Sequence, residues 1–191
     1  RRAACYPRKL IETGTNMLKP GDAAPPFDLP CAFDDKLSHL SLASLRSEQV
    51  VLFFYPRDFS FICPTEVIGF HKHYAAFKAE QTNIVGVSVD DAETHRRWAR
   101  ELGGISYPLL ADEGGKVARA FGILDDHEQV ALRATFILDP KRTILYAIAS
   151  PINVGRSVSE TLRVVQALRS GKLCPADWEP GSDFGPTDKK F

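Results

Sequence analysis

The covalent chemistry open to this chain centres on four cysteines, Cys5, Cys31, Cys63 and Cys174, separated by 26, 32 and 111 residues. No Cys-x-x-Cys pair occurs, which removes the usual zinc-ribbon spacings and a vicinal dithiol, so each thiol is judged singly. A lone cysteine is most often a small buried hydrophobe, and Cys5 and Cys31 carry no neighbouring feature that argues otherwise. Cys63 differs because it directly precedes Pro64, a residue suited to the first turn of a helix. The run from Pro64 to about Ala79 places Val67, Ile68, Phe70, Tyr74 and Phe77 at helical spacing, which puts Cys63 at a helix N-terminus. Unpaired N–H groups and the positive end of the helix dipole there favour a thiolate, the nucleophilic form of the side chain. Ser60 lies three residues earlier, and its hydroxyl can donate to sulfur and accept from a protonated substrate. Five aromatic residues between positions 51 and 61 make the surroundings mostly dry. His71 and His73, two apart on the same helix, face different ways, so no metal site is expected there.

The elements that would position Cys63 are read from periodicity. Val50–Tyr55 is a continuous branched and aromatic run, as in a strand buried on both faces, and Pro56 ends it. Ile84–Val89 is a second buried strand. Asp90 or Asp91 can cap a helix that carries Trp98 and Leu102 and stops at Gly103-Gly104. A third strand is expected at Tyr107–Leu110 and a short helix at Gly115–Phe121. Ala134–Leu138 and Thr143–Ile148 flank a turn at 139–142, a hairpin. Ser157-Val158-Ser159-Glu160 has the form of a capping box, opening a helix with Val158, Leu162, Val165 and Leu168 inward and Gly171 as its stop. The order strand, helix, strand, helix, strand, helix, hairpin, helix implies an α/β class with a central mixed sheet and helices on both faces. Thioredoxin-like folds have this order.

Composition bounds the function. The 191 residues make one domain of a size that buries roughly 70% of its unfolded surface, so a disulfide framework is not needed for a core. Lys and Arg number 24, as do Asp and Glu; a net charge of zero gives no general attraction to nucleic acid or anionic lipid. No apolar run exceeds six residues, as at Val50–Tyr55, which falls far short of the roughly 20 needed to span a bilayer. The only methionine is Met17, so residues 1–16 are set apart as an N-terminal extension. Arg1-Arg2 has no apolar stretch behind it, and export is not expected. Residues 17–171 form the expected domain. Residues 172–191, punctuated by Pro175, Pro180, Pro186, Gly181 and Gly185, form an extended tail carrying Cys174.

Within Phe53–Glu66 the pattern Pro56-x-x-x-Ser60-x-x-Cys63 resembles the peroxidatic motif of the peroxiredoxins. Thr94-His95 followed by Trp98 is similar to a segment of the typical 2-Cys subgroup, the alkyl hydroperoxide reductase C and thioredoxin peroxidase enzymes. Leu132–Ile137 and Val154–Val158 match the segments that carry that subgroup's two arginines, here Arg133 and Arg156, and Cys174-Pro175-Ala176-Asp177-Trp178 its resolving-cysteine motif. The likeness spans about residues 17–183. It implies a thiol-dependent peroxidase for hydrogen peroxide and alkyl hydroperoxides, serving antioxidant defence. Cys63 would be peroxidatic and Cys174 of a partner subunit resolving, with Arg133 holding the thiolate and the peroxide oxygens. Ser60 would orient the peroxide, Pro56 shield the sulfur, and Glu66 brace Arg133 and Arg156. The implied partners are a thioredoxin-like protein or disulfide reductase and a second copy of the chain, with dimers able to close into a decameric ring. The implied location is the cytoplasm, and no cofactor is called for.

Taken singly, these residues have plainer readings: Arg133 an edge charge, Arg156 a surface residue, Glu66 a helix-dipole partner, Trp98 a core aromatic, Cys174 an incidental thiol. Their joint match to one mechanism outweighs those readings for all but Trp98. A chaperone holdase or redox relay is the competing function, and a pure holdase would be indifferent to Cys63→Ser. A one-cysteine peroxidase would be indifferent to Cys174→Ser. Ser60 replaces the commoner threonine and lacks its stiffening methyl. Gly103-Gly104-Ile105-Ser106 stands where easily over-oxidised eukaryotic enzymes have Gly-Gly-Leu-Gly, and the chain lacks their terminal Tyr-Phe helix. Both departures imply that Cys63 leaves its pocket readily and resists conversion to sulfinic acid.

Overall fold

The computed structural model of the protein describes residues 16–45 and 48–186. Its elements run β1 (Asp28–Phe33), β2 (Lys36–Ser41), β3 (Gln49–Phe54), α1 (Cys63–Ala79), β4 (Thr82–Ser88), α2 (Ala92–Glu101), β5 (Leu109–Ala111), α3 (Lys116–Ala120), β6 (Leu124–Asp125), β7 (Val130–Ala131), β8 (Arg133–Leu138), β9 (Ile144–Ser150) and α4 (Val158–Ser170). Seven strands make one sheet in the order β2-β1-β5-β4-β3-β8-β9, and β6 pairs with β7 apart from it. The pairs β3–β4 and β4–β5 are parallel, the rest antiparallel.

Every residue of β3 is buried, as its unbroken apolar run requires. Its pleat sends Val51, Phe53 and Tyr55 to the layer under α1, α2 and α4, and Val50, Leu52 and Phe54 to the layer closed by α3 and the segment around Met17 and Leu18. Helices therefore cover both faces. Gly86 on β4 allows this packing: a Cβ there would come within 2.8 Å of Phe53 and of Leu109. The Phe53 ring reaches over Gly86 and stacks on Phe70 at 4.3 Å.

Several features depart from the sequence expectation. The β1–β2 hairpin adds two strands, and its turn carries Asp34 and Asp35 at φ 50° and 59°. Both central residues are left-handed, the backbone of the tightest hairpins, but the Asn-Gly or Asp-Gly signal that usually marks it is missing. The capping box at α4 forms only by half. Ser157 Oγ accepts from Glu160 N at 3.2 Å, whereas the Glu160 carboxylate takes Arg163 Nε and Nη2 at 2.6 and 2.7 Å instead of reaching back. The third strand begins at Leu109, after Pro108, which has no N–H for the ladder. Within α4 the buried residues are Thr161, Val164 and Val165, with Val158, Leu162 and Leu168 at the margin of that layer. Among the described residues no helix is long and apolar enough to cross a membrane.

Candidate active site

Cys63 opens α1 at the carboxyl end of β3, fully buried. Ile62 is the N-cap and offers no side-chain cap. Ser60 supplies one from the loop, its Oγ accepting from Cys63 N at 3.3 Å, which leaves the hydroxyl proton free to point at sulfur or substrate. Pro56 is buried at the start of that loop.

Strand alternation explains the rest of the site. Ala134, Phe136 and Leu138 of β8 face α3, so Arg133, Thr135 and Ile137 face α1. Arg133 opens the strand and is 4% exposed. Its Nη1 donates to Glu66 Oε2 at 2.6 Å and to Cys63 Sγ at 3.3 Å, and its Nε to the Ile152 carbonyl at 2.8 Å. Glu66 stands three residues after Cys63, on the same side of the helix. Its Oε1 accepts from Arg156 N at 2.8 Å and Arg156 Nε at 3.0 Å. The remaining Arg156 donors go to Ala134 O at 2.8 Å, Thr135 Oγ1 at 3.0 Å and the Phe54 carbonyl, with the guanidinium 5.2 Å above the Phe53 ring. Burial pulls Arg156 below its ordinary value and the Glu66 charge opposes that.

Two buried guanidiniums thus face one buried carboxylate. The cluster carries one excess positive charge, and a thiolate at Cys63 brings it to neutrality. A sulfur at Cys63 would thus have a fixed donor beside it, in a site that excludes bulk water. Removing Glu66 should therefore cost stability before anything else. Breaking a buried ion pair costs about 3–5 kcal/mol, which for a chain of this size lowers the thermal midpoint by about 10 °C. Calorimetry of Glu66→Ala against the parent protein checks this, and an unchanged midpoint would show the cluster to be unimportant for stability.

The chain matches the AhpC/TSA family model over residues 20–147. It is 40% identical to peroxiredoxin-2 of Mus musculus over 173 residues, 85% of this chain and 87% of that protein. Among solved structures it superposes on reduced Plasmodium vivax 2-Cys peroxiredoxin with a TM-score of 0.82 at 31% identity, covering 87% of this chain and 92% of that one. Mycobacterium tuberculosis AhpC gives a TM-score of 0.78 at 33% identity, covering 85% and 99%. The chain is a peroxiredoxin. Oxidoreductase activity on peroxide and the thioredoxin-like fold come with that family.

In this peroxiredoxin the other residues singled out from sequence are dispersed. Trp98 is a core aromatic, its ring 5.8 Å from Tyr55 and 6.2 Å from Phe59. Cys31 is buried on β1 with Sγ 3.1 Å from Ser38 Oγ, and Cys5 lies outside the described residues. His71 Nδ1 meets Ser106 Oγ at 2.9 Å, while His73 Nδ1 meets the Gly69 carbonyl at 2.9 Å. Cys174 is half-buried beside the end of α4, 3.5 Å from Ser170 Oγ, lining a cavity of about 890 Å³ with Tyr146, Leu168 and Leu173. Residues 172–186 fold back there: Gly185 N donates to Leu173 O and Trp178 stacks on Phe184.

Helices α1 and α4 run parallel, since a Cβ on Gly69 would meet Val158 near their beginnings and Gln166 meets Glu80 near their ends. Cys63 starts α1 and Cys174 sits at the other end of the pair. Within one chain they are separated by about the length of α1, 17 residues or about 25 Å.

The sequence reading missed Asp58, whose buried carboxylate meets His95 and Tyr55 beneath the loop. An aspartate in a loop ordinarily signals a turn, and nothing local marks this one as buried.

Proposed function

We propose that this peroxiredoxin reduces hydrogen peroxide and small alkyl hydroperoxides through a sulfenic acid on Cys63 that Cys174 of the partner subunit resolves. The Cys63 thiolate attacks the terminal peroxide oxygen. The O–O bond breaks and its electron pair leaves on hydroxide or alkoxide, which takes a proton to give water or alcohol. Arg133 Nη1 donates to the sulfur and to the peroxide oxygens as charge builds on the leaving group. Ser60 orients the peroxide, Pro56 shields the sulfenate, and Glu66 holds Arg133 in register with Arg156 behind it. The Cys174 thiol then attacks the sulfenate sulfur, an S–S bond forms and water leaves. A thioredoxin-like dithiol or a dedicated disulfide reductase returns both thiols, becoming oxidised itself. The cytoplasm, where thiols stay reduced, suits a disulfide of this transient kind.

The observation that carries this reading is the pairing of a fully buried Cys63 with a buried arginine 3.3 Å away. The separation along α1 favours resolution between subunits over resolution within one. Non-reducing electrophoresis after one equivalent of peroxide should show most of the protein as a covalent dimer, lost in Cys63→Ser and in Cys174→Ser alike. A monomeric intrachain disulfide, or a dimer that survives Cys174→Ser, would contradict it.

A further inference from the structure

Six residues separate Pro56 from Cys63, and Asp58 is the one among them that is buried. Phe61 is 94% exposed; half-exposed Phe59 touches only the outer side of α2, through Trp98 at 6.2 Å and Arg97 at 5.2 Å, and Arg57 Nη2 donates to the Glu128 carbonyl at 3.2 Å, so Asp58 is the loop's one anchor in the interior. Phe59 also sits at φ 52°, a left-handed conformation that a residue with a side chain keeps only when its surroundings enforce it.

The enforcement comes from a buried network. Tyr55 Oη donates to Asp58 Oδ1 at 2.9 Å. Asp58 Oδ2 lies 2.7 Å from His95 Nδ1, and His95 Nε2 lies 3.0 Å from the Leu110 carbonyl. A carbonyl can only accept, so Nε2 carries a hydrogen; the Nδ1–Oδ2 contact then holds one further proton, and the bond persists whichever atom bears it. Burial pushes the Asp58 carboxyl up, and the His95 bond works against that shift. Asp58 N donates to Asp90 Oδ2 at 2.8 Å, which also accepts from Ser88 Oγ at 2.6 Å. One loop residue is thereby tied to the ends of β3 and β4, to α2 and through His95 to β5. Asp58, Asp90 and His95 present ligand atoms within 4.8 Å of one another, but the Asp58 oxygens, both His95 nitrogens and Asp90 Oδ2 are already joined by these hydrogen bonds.

We infer that the Asp58–His95 pair, with Tyr55, is a latch that holds the loop closed over Cys63 and sets how often that sulfur is uncovered. These are positioning residues, and the inference deepens the proposed mechanism, in which Cys63 must leave its pocket to meet the partner's Cys174.

The test is alkylation of the reduced full-length protein by N-ethylmaleimide, with the rate at each cysteine resolved by peptide mass spectrometry. The reagent is too large for the closed pocket, so its rate at Cys63 reports opening, while buried Cys31 on β1 reports opening of the whole domain. Asp58→Ala should raise the Cys63 rate about tenfold and Tyr55→Phe, which deletes one hydroxyl from a folded core, about threefold. Asp58→Asn should stay within twofold, because its oxygen can accept from Tyr55 and its nitrogen can donate to neutral His95. Cys31 should be unchanged in all three. An unchanged Cys63 rate in Asp58→Ala and Tyr55→Phe would overturn the latch, as would a parallel rise at Cys31. If Asp58→Ala does not fold, Tyr55→Phe decides. The readout needs no peroxide, so a failed peroxidase mechanism and a failed latch give different results.

Discussion

Cys63→Ser is expected to abolish peroxide consumption, with a loss on the order of 10⁶-fold, the scale seen when an enzyme's nucleophile is removed. The change is nearly isosteric, and the buried hydroxyl keeps Arg133 as a partner, so the fold should survive. What the proposed mechanism loses is its polarisable anion: serine stays protonated at neutral pH, and the excess positive charge of the Arg133–Glu66–Arg156 cluster goes unanswered. The loss of hydrogen peroxide, followed with an excess of dithiol reductant, measures the effect. Residual turnover of a few per cent would place the chemistry on another thiol.

Arg133→Ala is expected to lower the rate constant for Cys63 oxidation by about 10²–10³-fold, the usual consequence of removing one preorganised donor from developing negative charge. Arg133→Lys should recover only part of it. An ammonium keeps the charge but cannot meet the Ile152 carbonyl, Glu66 and Cys63 with one rigid fork. Arg156→Lys provides the contrast. The Arg156 donors are spent on Glu66, Ala134, Thr135 and Phe54, with none directed at sulfur, so its replacement should depress the melting midpoint more than the oxidation rate. Stopped-flow oxidation and thermal unfolding of both variants separate the two roles. Equal effects on rate would remove the distinction drawn between the arginines.

The core of the fold was legible because its signals are strong and local. The all-apolar run at 50–55, the proline after Cys63, the Asp91 cap and the glycine stop at Gly171 each have one favoured local structure. The peripheral hairpin was not, because its turn rests on two left-handed aspartates and β2 is mostly exposed, which weakens the alternation that identifies a strand. At the site, Cys63 and Ser60 could be placed from one helix start. Arg133 and Arg156 lie 70 and 93 positions further along and are indistinguishable from surface cations until the sheet order brings β8 beside β3. The resemblance named them where periodicity could not. Asp58 and His95 needed the packed structure, since a buried acid is recognised by its partners and these come from separate elements.

The central claim is that Cys63, beside Arg133, is the sulfur that takes the peroxide oxygen. It is tested most directly by treating reduced Cys174→Ser protein with one equivalent of hydrogen peroxide in the presence of dimedone, which traps sulfenic acids, and locating the adduct by peptide mass spectrometry. A near-stoichiometric adduct on Cys63, with Cys31 unmodified, is the predicted result. An adduct on Cys31 or Cys5, or peroxide consumed with Cys63 still a thiol, would contradict it.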